Sequence, residues 1–245
     1  MVILFAPSEG KRSGGDMSPL DQTSLIFPEL YARRLEAIAQ YESLIQNGTD
    51  EQLSELFGIK DPKEFERYTL PFEKAPTMKA VERYNGVAYD YLKYLSLSDD
   101  ARNYINENVI LFSNLFGPVR AGDPLPDYKL KQGSSIGTFA PEKHYKTLFS
   151  DALDTWIGDR EVLDIRAGFY DKFYTPKNRP VTLKFLKEGK IVSHWAKAYR
   201  GIVLREAAMN KIGSIGELLA LNIEGLMIHE IIETKKKKEV VYTIA

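Results

Sequence analysis

The sequence predicts an α/β protein of the α+β type: a single domain, residues 1–245, with a mixed β-sheet surrounded by helices and antiparallel hairpins at its C-terminal end. Three observations predict it. Short apolar runs of β type alternate with longer segments that carry apolar residues at helical spacing. Past Tyr174 the pattern changes to period two, with Val181–Leu186 and Ile191–Ala196 flanking the turn Lys187-Glu188-Gly189-Lys190. Neither an internal repeat nor a low-complexity linker divides the chain.

Each element follows from local chemistry. Val2–Phe5 reads as a buried strand, followed by a Gly/Ser-rich loop to about Pro19. Glu29–Gln46 places Leu30, Leu35, Ile38, Tyr41, Leu44 and Ile45 on one helical face. Asp50–Phe57 and Pro62–Tyr68 read as two short helices, the second with Asp61 as N-cap and Pro62 at its first position. Lys79–Leu95 reads as one longer helix with Gly86 inside it, and Ser98 caps a further helix to about Asn106. Then come a strand at Val109–Phe112, a helix over His144–Ile157 and a strand over Val162–Ile165. After the first hairpin, helices are expected from Gly201 to Lys211 and from Ser214 to Leu221. The last hairpin joins Leu226–Glu233 to Val240–Ile244 around an exposed turn, Lys235–Lys238.

Composition excludes several classes. With no cysteine there is no disulfide, no thiol peroxidase chemistry and no thiolate-held zinc or iron–sulfur site. The three histidines, His144, His194 and His229, lack ligand spacing, so neither a metal site nor a cofactor is expected. No apolar run approaches a membrane span, and Met1–Phe5 is too short for a signal-peptide core, so a cytoplasmic protein is expected. Net charge is −1, but unevenly spread. Glu42, Asp50, Glu51, Glu55, Asp61, Glu64 and Glu66 face only Lys60 and Lys63. Between Tyr170 and Arg205 the balance inverts, with Lys172, Lys177, Arg179, Lys184, Lys187, Lys190, Lys197, Arg200 and Arg205 against Asp171 and Glu188. Such a segment either attracts phosphates or guards a hairpin edge with solvated lysines.

Three stretches carry candidate chemistry. Leu111–Gly133 reads as a long proline-stiffened loop holding Arg120, Asp123, Asp127, Tyr128 and Lys129, the type of loop that more often binds than merely connects. Ala6–Gly15 follows the first strand with small residues and the bases Lys11 and Arg12, and Ser8 stands among them. It matches neither a Walker loop nor a dinucleotide fingerprint, and it is either an anion site or a plain loop. In His194–Gly201, Lys197 and Arg200 are expected to flank the N-terminus of the helix beginning near Gly201, where an anion would relieve two cations set against the helix dipole.

Beyond these motifs, the chain resembles the YaaA family of bacterial peroxide stress proteins. The matching stretches are Ala6–Lys11, Tyr84–Tyr89, Leu115–Arg120 through Asp123 to Tyr128–Leu130, Ala196–Gly201 and Asn222–Gly225. They fall in order over nearly the whole chain. The sequence departs from the family at Glu9, where some relatives have lysine and Lys11 is the nearest substitute, and over Ile165–Tyr170, where only Tyr170 aligns. The resemblance implies an uncommon fold containing a helix-hairpin-helix-like element, survival of hydrogen peroxide by limiting iron-dependent DNA damage, and DNA binding through a positively charged cleft. Leu56–Lys60, between the two short helices, is the stretch where that element would fall, although a plain αα-hairpin fits it equally.

Two function classes follow. The first, adopted here, is a non-enzymatic protein that binds double-stranded DNA largely without sequence preference, through Ser8, Lys11, Arg120, Lys129, Lys197 and Arg200. The second is an enzyme acting on a small phosphorylated or carboxylated ligand at the same cluster, with Glu9, Asp123 and Glu224 as acid/base or structural groups.

Overall fold

Val2-Ile3-Leu4-Phe5 is too apolar to leave either face in water, and as strand β1 (Val2–Phe5) no residue of it is more than 1% exposed. The structure is a computed structural model describing residues 1–192 and 194–245, with His194 described by its backbone alone. Helix α1 (Tyr31–Asn47) follows a 3-10 turn at Pro28–Leu30, close to the expected span. Thr49 and Gln52 form a reciprocal capping box on α2 (Asp50–Phe57), which Gly58 ends at φ 65°. Asp61 then caps Pro62–Tyr68, which is a 3-10 helix and not a second α-helix. The turn between them packs against the Lys131 side chain.

The helix expected over Lys79–Leu95 is instead strand β2 (Thr77–Lys79) and two short helices, α3 (Ala80–Arg83) and α4 (Val87–Leu92). Gly86 at φ 119° breaks it, and Lys93 at φ 49° ends it. Ser98 caps α5 (Asp99–Asn108) by accepting from Ala101 N.

Leu111–Gly133 is not the irregular loop its prolines suggest. It contributes to strands β3 (Val109–Ser113), β4 (Gly117–Arg120) and β5 (Pro124–Pro126). Leu115, Phe116, Val119, Ala121, Leu125 and Leu130 are fully buried there, and that burial outweighs the turn signals. Pro118 is tolerated because β4 is an edge strand, where a missing donor costs no ladder bond.

Helix α6 (Pro141–Ile157) starts ahead of the expected His144, with Pro141 at its first turn. Strand β6 (Val162–Asp164) and a 3-10 turn at Gly168–Lys172 lead to the hairpin of β7 (Val181–Lys187) and β8 (Lys190–Ile191). The strand expected to run to Ala196 stops at Ile191. Helix α7 (His194–Met209) begins well before Gly201, because Tyr199, Val203 and Ala207 repeat every four residues and bury one helical stripe. Helix α8 (Ile215–Ala220), capped by Ser214, and the strands β9 (Leu226–Glu233) and β10 (Lys238–Ile244) complete the chain.

The main sheet runs β4-β3-β1-β6-β7-β10-β9, with β8 paired to β7. Strands β3, β1, β6, β7 and β10 are parallel to their neighbours in that row, and β4 and β9 are antiparallel edges. The expected C-terminal hairpin is therefore the edge of the main sheet. Ile3, Phe5, Val109 and Leu111 face one apolar layer beneath α5 and α7. Val2, Leu4, Ile110 and Phe112 face the other, with Tyr145, Phe149 and Leu153 of α6. The chain leaves β1 for β3 on one side and later returns to β6 on the other. In parallel sheets such a reversal opens a crevice at the carboxyl ends of the strands. Among the described residues, no helix is long and apolar enough to cross a membrane.

Helices α4 and α7 touch backbone to backbone. A Cβ placed on Gly201 would lie 2.0 Å from the Ala88 carbonyl oxygen. In an open helix, Gly→Ala stabilises by about 1 kcal/mol. Here the clash with backbone reverses the sign, and Gly201→Ala is expected to destabilise by about 2 kcal/mol, read as a lower thermal midpoint. A raised midpoint would contradict the close packing.

Candidate functional site

A cavity of about 360 Å³ opens at the reversal. Its walls come from the segment after β1 (Ala6, Pro7, Ser8, Glu9), the start of α4 (Gly86, Val87, Ala88), the segment after β6 (Ile165, Ala167, Tyr170), Gln132, and Lys197 and Arg200 of α7. Sequence-distant residues meet here because both the β1 and β6 exits lie at the same edge of the sheet. Gly86 allows the close approach: a Cβ on it would stand 2.9 Å from Ser8 Oγ. Tyr89 donates from its hydroxyl to the Ala6 carbonyl at 2.9 Å, tying α4 to the loop after β1.

The cations of α7 do not flank a helix N-terminus at Gly201, as expected, but sit within the first turns of a helix that starts at His194. They still reach the cavity, because Gly201 lets α7 press onto α4. Lys197 is exposed at the rim. Arg200 lies deeper, and its buried Nε has no hydrogen-bond partner among the described residues. Burial lowers the Arg200 pKa from its ordinary value, with Asp164 opposing the shift. An unpaired buried donor on a guanidinium is costly, and an anion in the cavity, meeting the part of Arg200 that lines it, would offset the charge.

The other predicted residues separate into groups. Ser8 and Glu9 line the cavity. Lys129 does not, but it braces the loop: its Nζ lies 3.6 Å from Glu9 Oε2 and donates to the Glu9 carbonyl at 3.3 Å. Gln132 N donates to Glu9 Oε1 at 2.6 Å. Arg120 and Asp123 stay away from the cluster. Arg120 pairs across the sheet with Ile110, whereas Ser113 marks the carboxyl end of β3. Its Nε donates to Asp123 Oδ1 at 2.9 Å, and Asp123 Oδ2 accepts from the backbone of Ile26 and Arg120. That pair is structural, with Asp123 only 2% exposed. Glu224 is exposed in the turn before β9, beyond the cavity wall.

Lys11 does not line the cavity, and it is only 8% exposed. Its Nζ lies 4.3 Å from the Tyr128 ring centroid and 5.4 Å from that of Tyr84. Burial, the largest cause, pulls its pKa down to about 7, with Glu9 opposing the shift. Behind the rings, Tyr84 and Tyr128 join hydroxyls at 2.9 Å, and Tyr128 meets Ser113 Oγ at 2.7 Å. The hydroxyl chain and the roles of Gln132 and Tyr89 were not read from the sequence. The one available signal was the tyrosines of the stretches that carry the family resemblance, Tyr84, Tyr89, Tyr128 and Tyr199, among 14 in the chain.

Comparison with known proteins finds relatives along nearly the whole chain. A family model described as peroxide stress protein YaaA matches residues 1–231. An uncharacterized protein of Campylobacter jejuni is 48% identical over 244 residues, spanning 100% of this chain and 99% of the relative. A UPF0246 protein of Corynebacterium efficiens is 35% identical over 250 residues, covering 97% of this chain and 98% of its own. One from Streptomyces coelicolor is 32% identical over 213 residues, covering 84% and 82%.

A lysine whose folded pKa lies below its unfolded value near 10.5 destabilises the fold at low pH. That cost is complete below about pH 7 and fades as pH rises toward the unfolded value. Lys11→Met is therefore expected to be more stable than the parent at pH 6, by on the order of 2 kcal/mol, and to lose that advantage by about pH 10. Thermal midpoints across this range check it. A gain independent of pH would contradict the buried-amine assignment.

Proposed function

The chain belongs to the YaaA family of peroxide stress proteins, and within it we propose that the chain binds a small phosphate- or carboxylate-bearing ligand at the carboxyl ends of β1 and β6. The observation that carries this reading is the Arg200 guanidinium, whose buried Nε faces no described partner. The cavity, at about 360 Å³, falls in the range of small-molecule sites. Its walls combine apolar surface from Phe5, Val87 and Ile165 with converging polar groups from Ser8, Gln132, Tyr170 and Lys197. Apolar walls strengthen each charge-assisted hydrogen bond by excluding water. Arg200 would take the anion, Lys197 would attract it at the rim, and Glu9 would sit at the far wall as the acid/base group. The concave shape favours this enzyme-like reading over a flat phosphate-tracking surface.

DNA on the same rim is the second reading, and one observation favours it. Trp195 is 40% exposed, with the Lys187 ammonium 5.1 Å from its ring centroid, two residues before Lys197. An exposed aromatic among cations is a stacking platform for bases.

Calorimetric titration with pyrophosphate and with a short duplex at two salt concentrations separates the two. Pyrophosphate is expected to bind the parent, and Arg200→Gln to weaken it about tenfold or more, the value of one charged hydrogen bond. If the duplex binds more tightly, with a steep salt slope that Lys187→Ala and Lys197→Ala each reduce by about one unit, and Arg200→Gln leaves it unchanged, the DNA reading replaces the pocket reading.

A further inference from the structure

The two edges of the main sheet differ in kind. Strand β4 is four residues long and carries Pro118 and Arg120. Strand β9 is eight residues long, seven of them exposed, with neither lysine nor proline. Those two residues and short length are common devices that keep an edge from pairing. Instead β9 presents Met227, Ile228, Ile231 and Ile232, between 37% and 65% exposed. A register shift against β10 lies beside His229, and from Glu230 to Glu233 the strand is regular.

The backbone of that regular stretch has unused bonding capacity. Lys238 N donates to the Pro180 carbonyl at 3.0 Å, toward β7, so Lys238 turns its N–H away from its β9 partner Glu233. Next to them, Thr234 N donates to the Lys237 carbonyl at 2.9 Å. Antiparallel pairs alternate between bonded and unbonded residues. Glu233, and Ile231 two residues before it, therefore direct their N–H and C=O groups outward from the sheet.

We infer that β9 is the interface of a two-fold dimer, in which it pairs antiparallel with β9 of a second copy, Ile231 lying opposite the partner's Ile231. The charges select this register. A two-fold axis across an antiparallel pair sets each residue against the one that mirrors it about the centre. A centre at Glu230 or Glu233 would set carboxylates against each other. A centre at Ile232 would set His229 against the partner's Lys235. The centre at Ile231 sets His229 against the partner's Glu233, twice by symmetry, and packs Ile232 on the aliphatic stem of the partner's Glu230. Glu233 holds Arg179 at 3.0 Å with one oxygen, which leaves the other, 3.7 Å from Lys238, for the partner's His229. At the centre the two copies of Ile231 exchange both backbone hydrogen bonds, and the main sheets of the two chains become continuous.

The chain has no cysteine, so Ile231→Cys introduces a single thiol. Opposed Cα atoms of a bonded antiparallel pair lie about 5.5 Å apart, within reach of a disulfide. Oxidation of the full-length variant by copper phenanthroline is expected to give a disulfide dimer about tenfold or more faster than oxidation of Met227→Cys. Met227 is the more exposed position, but the register carries it far from its own copy. Sedimentation of the parent over a micromolar concentration series should show a species of twice the chain mass. Ile231→Lys, which opposes two ammonium groups at the centre, should stay at one chain mass while keeping the cooperative thermal transition of the parent. A parent at one chain mass throughout, a dimer that survives Ile231→Lys, or cross-linking of Met227→Cys as fast as of Ile231→Cys would overturn the inference.

Discussion

The site depends on β1. Parallel strands flank it on both sides and apolar layers cover both of its faces, so the chain can continue only outward at the carboxyl edge. Because β3 and β6 take opposite sides of β1, the covering helices part at that edge and leave a crevice. Ser8 and Glu9 enter from the β1 exit, and Ile165, Ala167 and Tyr170 from the β6 exit. Helix α7 closes the mouth only because Gly201 has no side chain to hold it away from Ala88. One glycine thereby sets how deep the neighbouring Arg200 reaches.

Electrostatics at this edge are deliberately unbalanced. The acids nearest the site are paired elsewhere, Glu9 with Lys129 and Asp127 with Arg67, while Arg200 and Lys11 lie buried without full compensation. Buried cations without partners destabilise a fold. Arg200 on the cavity wall is the pattern of a group held ready for a ligand. By contrast Arg34, fully buried and likewise with an unpartnered Nε, donates through its other guanidinium nitrogens to the carbonyls of Phe116, Ile26 and Pro118 and serves the fold. The two arginines show how the same residue type, fully buried in one case and partly in the other, divides between packing and site.

Much of the architecture was legible in the sequence, because it follows from local pattern. The β1 strand, α1, the capped α2 and α5, the β7 strand and the C-terminal hairpin all lie where periodicity and caps put them. The errors share a physical origin. Prolines and glycines in Leu111–Gly133 imply an irregular surface loop by local rules, but tertiary burial of Phe116, Val119 and Leu125 makes strands of it. Ile191–Ala196 alternates like a strand, yet the four-residue spacing of Tyr199, Val203 and Ala207 carries the helix back to His194. Ser8, Glu9, Lys197 and Arg200 do line one cavity, Ser8 and Glu9 after a strand end as read, Lys197 and Arg200 from within α7 and not from the helix N-terminus expected near Gly201. Arg120 and Asp123 were misplaced because a charged pair in sequence does not reveal that each answers the other. The tyrosine chain behind Lys11 depends on residues far apart in sequence, Tyr84, Ser113 and Tyr128, so only the fold discloses it.

The central claim is that the edge of β1 and β6 holds an anion through Arg200. A crystal of the protein grown with sodium selenate, read by anomalous scattering from selenium, tests it most directly. The account predicts one ordered selenate inside the cavity, within hydrogen-bond distance of the Arg200 guanidinium. Selenate ordered only along the Lys235–Lys238 turn or the β7–β8 hairpin, with none in the cavity, would contradict it.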